Sequence, residues 1–173
     1  MADRTVTMRG APMPLAGPEL YIGDRAPDFK LQQRSPEGLK DVILTDYTGK
    51  TLILSVVPSL DTPVCEMQTK RFNEEAASLP TDIEILTVSM DLPFAQARFC
   101  SSKGTDRLKT ASDHIDANFG LAYGTLMSTI RLECRAVFVV SPDSTLRYVE
   151  YVPEVTDQPN YDAALISARE QRD

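Results

Sequence analysis

Apolar positions along this chain change their period several times, and each change marks an element. Leu52 to Val57 is an apolar run broken only by Ser55, the pattern of a strand buried on both faces. A short polar loop follows Pro58. From Pro63 the apolar positions Val64, Phe72, Ala76 and Leu79 predict a helix over Pro63 to Leu79 with those residues as its inner face. Ile83 to Met90 repeats the buried-strand pattern. Leu92 to Cys100 reads as a short helix with Asp91 as N-cap and Pro93 in its first turn. Residues 101–113 read as loop, and Ile115 to Tyr123 as another short helix. Ala136 to Val140 and Leu146 to Val152 are strands joined by the turn signal Ser141-Pro-Asp-Ser144, and Asn160 to Arg169 closes as an amphipathic helix. Upstream, Gly10, Pro12, Pro14, Gly17, Pro18, Gly23 and Pro27 make residues 10–28 a turn-rich lead-in of short strands and a hairpin. Asp41 to Leu44 precedes a turn-like segment ending at Gly49.

The order is therefore strand, helix, strand, further helix, hairpin and final helix. That is the order of an α/β, thioredoxin-like fold: a central mixed sheet flanked by helices, here with an N-terminal hairpin extension. One domain is expected over 1–173, with no internal repeat.

Charge narrows the partners. The formal net charge is −7, which argues against nucleic acid and against an anionic membrane surface. The start, Met1 to Gly10, has charge but no apolar segment behind it, so no secretory signal is read. No run is long enough to span a bilayer. A cytoplasmic location is the expectation, and cysteines in a reducing compartment are usually buried, metal-binding or catalytic.

The chain has three cysteines, and each admits two readings. Cys65 is either a small buried hydrophobe or a nucleophile. Its position favours the second. With Thr62 as N-cap and Pro63 at N1, Cys65 falls at N3, where unpaired N–H groups and the helix dipole favour thiolate. The Thr62 hydroxyl is expected within reach of the Cys65 N–H or sulfur. Cys100, followed by Ser101-Ser-Lys-Gly104, is either a packing residue or a second thiol that attacks an oxidised Cys65. Cys134 reads as a strand-edge residue without a catalytic role, its rival reading being an alternative disulfide partner. Zinc is not expected, since there is no Cys-x-x-Cys pair and one histidine, His114. A Cys–His hydrolase would need that histidine as base. Arg135 directly precedes an apolar strand, so its guanidinium could stand at the strand end near Cys65 and hold a negative sulfur or a polar oxygen.

Pro58-Ser-Leu-Asp-Thr62-Pro-Val-Cys65 resembles the peroxiredoxin pattern Pro-x-x-x-Thr-x-x-Cys. Val57 to Thr62, Arg71-Phe-Asn73, Ser89 to Cys100, Arg135 to Val140 and Pro159 to Leu165 resemble one branch, the bacterial thiol peroxidases, which are atypical two-cysteine peroxiredoxins. The likeness runs over nearly the whole chain. It implies that Cys65 is the peroxidatic cysteine and Cys100 the resolving one. Pro58 would shield the pocket, Thr62 would orient the peroxide oxygens, and Arg135 would activate thiolate and substrate. It further implies reduction of hydrogen peroxide and organic hydroperoxides without metal, haem or flavin, an intrachain disulfide recycled by thioredoxin, and a homodimer. Two positions depart from the branch. Pro63 replaces a small residue, and Cys134, beside the pocket arginine, is a thiol that could compete for resolution. The competing functional class is a peroxide sensor that passes its disulfide to a partner without turnover.

Overall fold

The computed structural model describes residues 4–170, so residues 1–3 and 171–173 of the expected domain lie outside the described residues. The chain runs through β1 (Thr5–Met8), β2 (Ala11–Ala16), β3 (Lys30–Ser35), β4 (Gly38–Ile43), a 3-10 turn (Leu44–Tyr47), β5 (Thr51–Val56), α1 (Pro63–Ala76), β6 (Ile83–Ser89) and α2 (Pro93–Lys103). It continues through β7 (Lys109–Ser112), α3 (Asn118–Tyr123), β8 (Leu126–Met127), β9 (Leu132–Glu133), β10 (Ala136–Val140), β11 (Leu146–Tyr151) and α4 (Tyr161–Glu170).

A mixed seven-stranded sheet has the order β11-β10-β5-β6-β7-β3-β4. β5, β6 and β7 are parallel, and the other pairings are antiparallel. Parallel neighbours need a crossover, which α1 and α2 supply. β5 lies inside the sheet because both its faces are apolar. Leu52, Leu54 and Val56 join the core of Phe119, Tyr123 and Phe138, while Ile53 faces the core of Phe72, Leu165 and Ala168. A second sheet, ordered β1-β2-β8-β9, contains the N-terminal hairpin. Thr7 of β1 bridges Glu154 in parallel, which lays the hairpin against the segment after β11.

The expected helices and strands appear in order, and the differences lie at their ends and in the segments between them. The helix at Pro63 ends at Ala76, because Ala77, Ser78 and Leu79 bond carbonyls three residues back and tighten the last turn. Its inner face also differs: Cys65, Gln68, Thr69, Phe72 and Asn73 are buried, while Val64, Ala76 and Leu79 are only partly so. Leu92, not Asp91, is the N-cap of α2. The Asp91 carboxylate instead accepts Ser59 Oγ at 2.7 Å, the Leu60 amide at 2.8 Å and Ser89 Oγ at 2.7 Å. α2 runs past Cys100 to Lys103, stopped by Gly104 in the left-handed region at φ 64°.

Residues 101–113 are not all loop: β7 fits its small residues Thr110, Ala111 and Ser112 under α2, where Gln96 Nε2 donates to Ala111 O at 3.0 Å. The β3–β4 hairpin was hidden by polar residues, since of the pair only Leu31 and Val42 are buried, yet its turn carried the signal Ser35-Pro-Glu-Gly38. α3 starts at Asn118, after Ala117 at φ 56°, and the Asp113 carboxylate accepts the amides of Phe119 and Gly120.

Candidate active site

β5 delivers the chain to the site. Val57 continues the ladder through its amide to Val88 O at 3.0 Å, and Pro58 then cannot donate and turns the chain out of the sheet. Thr62 is extended at φ −127° and caps α1, with Pro63 at N1. The first helical bond runs from the Glu66 amide to Thr62 O at 2.9 Å. The amides of Val64 and Cys65 precede it, at the end where N–H groups lack intrahelical partners. Cys65 is 1% exposed and packs with Val57, Leu60 and Phe99. The Thr62 hydroxyl does not bond Cys65 as expected. It donates to Ser59 O at 3.0 Å and so braces the loop, while Thr62 still lines the cavity over the thiol.

Arg135 stands where its place in the chain suggested. Strand alternation separates it from Cys134: Cys134, Ala136 and Phe138 enter one core, and Val137 and Val139 enter the other. Arg135 is 1% exposed, and its Nη2 donates to Cys65 Sγ at 3.3 Å. Nη1 donates to Gln68 Oε1 at 2.7 Å and Nε to Val155 O at 2.7 Å. Gln68 Nε2 in turn donates to Ser55 Oγ at 2.8 Å. None of these guanidinium bonds reaches a carboxylate. A buried cation is costly without a counter-charge, and the sulfur in contact with it is the group able to supply one as thiolate.

Gln68 and Ser55 were not among the expected site residues. The signal for Gln68 was its i, i+3 spacing from Cys65, which puts both on one helix face. Ser55 is the single polar residue in the apolar run Leu52 to Val57.

A cavity of about 320 Å³ opens over Cys65. Pro58, Thr62, Pro63 and Val64 form one wall, Arg135, Val155 and Thr156 another, and Met8, Arg9 and Met13 of the hairpin a third. Four expected residues, Pro58, Thr62, Cys65 and Arg135, thus meet at one cavity. Cys100 is not brought there. It lines a separate opening with Arg34 and Lys109, and its Sγ lies 3.9 Å from Thr110 Oγ1. All three cysteines are free thiols. Phe99, one residue before Cys100, packs on the Cys65 cluster and covers it from the α2 side.

Cys134 does not stand beside the arginine's working face. It is fully buried in the core opposite, and burial above all, with the Glu133 charge, pushes its thiol up, away from reactivity. His114 bonds Gln32 Oε1 through Nε2 at 2.7 Å, while the partner of Cys65 Sγ is Arg135. The hydrolase arrangement is not formed. Among the described residues no group of metal-ligating side chains is assembled, and no helix is long and apolar enough to cross a membrane.

Known proteins resemble this chain along most of its length. Residues 22–165 match the family model described as Redoxin. A thiol peroxidase of Halalkalibacterium halodurans is 48% identical over 165 residues, covering 95% of this chain and 97% of that protein. One of Bacillus subtilis is 46% identical over 164 residues, covering 95% and 96%. Among solved structures, a peroxiredoxin-like protein from Aquifex aeolicus superposes with TM-score 0.89 at 39% identity, covering 97% of each chain. A thiol peroxidase from Chromobacterium violaceum superposes with TM-score 0.84 at 19% identity over 99% of each, a likeness of fold.

Proposed function

This chain belongs to the Redoxin family, among the thiol peroxidases, and from that premise we propose that it reduces hydroperoxides at Cys65. The observation that carries the reading is the buried guanidinium of Arg135 at 3.3 Å from Cys65 Sγ, at a helix N-terminus and under a cavity.

In this reading the Cys65 thiolate attacks the terminal oxygen of the hydroperoxide. The O–O bond breaks, the sulfur becomes a sulfenic acid, and the other oxygen leaves as water or alcohol after taking a proton. Arg135 and the amides at the start of α1 stabilise the charge that develops on the leaving oxygen. Thr62 orients the peroxide oxygens, and Pro58 shields the thiol from water. Cys100 then attacks the sulfenic sulfur, forming a disulfide and releasing water, and a thioredoxin dithiol reduces the bridge by exchange. Cys100 faces Thr110, so the disulfide step requires α2 to unwind near Cys100 and α1 near Cys65. We assign the protein to the cytoplasm as one domain that pairs as a homodimer. Exposed Leu92 and Phe94, at the start of α2, offer apolar surface for that pairing.

The test is NADPH consumption with thioredoxin, thioredoxin reductase and cumene hydroperoxide. Wild type should turn over, Cys65→Ser should be inactive, and Cys100→Ser should consume one equivalent of peroxide without thioredoxin-driven recycling. Normal turnover by Cys65→Ser would sink the mechanism. Oxidation of wild-type Cys65 without turnover would favour the sensor.

A further inference from the structure

One wall of the Cys65 cavity, with Met8 and Met13, comes from the N-terminal hairpin, far away in sequence, and something must hold it in place. The hairpin turns at Arg9 and Gly10, both with positive φ, 52° and 78°. Such a turn is at ease with glycine and strained for arginine. Its two successive amides point at one carboxylate: the Arg9 and Gly10 amides donate to Glu154 at 2.9 Å and 3.1 Å. Thr7 Oγ1 and Thr156 Oγ1 also donate to Glu154, each at 2.8 Å. These bonds, the Gly10 amide's first, hold the Glu154 carboxyl down at about 2, so it is ionised at neutral pH. Thr7 N to Pro153 O at 2.7 Å and Val155 N to Thr7 O at 2.8 Å complete the seam. The next link is Val155 O, which accepts Arg135 Nε at 2.7 Å. One short segment therefore binds the hairpin through Glu154 and the pocket arginine through Val155.

We propose that Glu154 is a positioning residue of the peroxidase site: its carboxylate clasps the β1–β2 turn over the cavity and so sets the wall of Met8 and Met13 against which the organic part of an alkyl hydroperoxide packs. The inference rests on the reading of Cys65 as peroxidatic. Hydrogen peroxide has no organic part and makes no use of that wall. Loss of the clasp should therefore separate the two substrates.

The test uses the full chain as wild type, Glu154→Gln and Glu154→Asp, with hydrogen peroxide and cumene hydroperoxide. Glutamine keeps the shape but loses the charge and one acceptor. Glu154→Gln should lose about tenfold or more in kcat/KM for cumene hydroperoxide, chiefly through KM, and no more than about threefold for hydrogen peroxide. Glu154→Asp should recover part of the ratio, and the Gly10 amide should exchange with solvent about tenfold faster in Glu154→Gln. An unchanged ratio in an active Glu154→Gln, equal losses on both substrates, or an unchanged Gly10 exchange rate would overturn the clasp alone. A wild type inactive on both peroxides would overturn the peroxidase reading, and the clasp with it.

Discussion

At the residue scale the chemistry rests on how one guanidinium distributes its donors. Arg135 divides its N–H groups among Cys65 Sγ, Gln68 Oε1 and Val155 O, three directions fixed by a planar fork. Lysine has a single ammonium and cannot meet all three at their present distances. Arg135→Lys should keep the fold and lower kcat/KM for peroxide by about a hundredfold or more, the scale of losing a preorganised charge donor. Quenched-flow mass spectrometry of Cys65 oxidation would measure it, since the chain has no Trp to report by fluorescence. A loss below about threefold would deny the arginine its proposed role. Cys65 at N3 and Thr62 at the cap were readable in the sequence because capping chemistry is local. The Thr62 hydroxyl bond was not, because Ser59 O, set by the turn of the loop, competes for the same proton.

At the element scale the informative fact is the polar inner face of α1. Gln68, Thr69 and Asn73 are buried there, where an amphipathic reading expected Val64, Ala76 and Leu79. Each of the three is engaged. Gln68 holds Arg135, Thr69 Oγ1 donates to Cys65 O at 2.9 Å, and Asn73 holds the end of α2. Asn73 Oδ1 accepts the Arg107 amide at 2.9 Å, and its Nδ2 donates to Gly104 O at 3.4 Å. The Lys103 ammonium also reaches Glu66 of α1 at 3.1 Å, a half-exposed pair of little weight. If Cys100 must leave Thr110 to reach Cys65, these contacts oppose it. Asn73→Ala should destabilise the protein by about 1–2 kcal/mol. It should also speed disulfide formation severalfold without speeding sulfenate formation, which timed acid quenching would resolve. A slower disulfide step would mean that Asn73 assists unwinding instead of resisting it.

At the scale of the whole molecule, two carboxyls with opposite shifts shape stability against pH. Glu133 is fully buried beside Asp113, with Thr125 Oγ1 donating to its Oε2 at 2.5 Å. Burial first, then the Asp113 charge, raises its carboxyl above the ordinary 4.5. A raised carboxyl binds its proton more tightly when folded, so its contribution is full below 4.5 and is lost as pH rises through the folded value. Glu154, lowered to about 2, contributes above 4.5 and loses that as pH falls. Thermal unfolding should therefore be most resistant in mildly acidic buffer. Glu133→Gln should flatten the alkaline-side decline, and a decline of unchanged slope would show that the pair titrates otherwise.

The sequence by itself determined the α/β class, the order of β5, α1, β6, α2, α3, β10, β11 and α4, and the placement of Cys65 in the first turn of a helix. Apolar period, turn residues and capping act over a few neighbours, and one chain displays them. It did not determine that β7 and the β3–β4 hairpin, both rich in polar residues, would be strands, since their partners and cover come from elsewhere. Nor did it determine that Gln68 and the hairpin methionines would gather around Cys65, that Glu154 would hold the hairpin turn, or that Cys100 would face away. Those outcomes depend on which faces the sheets and helices turn to one another, a packing choice made between segments distant in the chain.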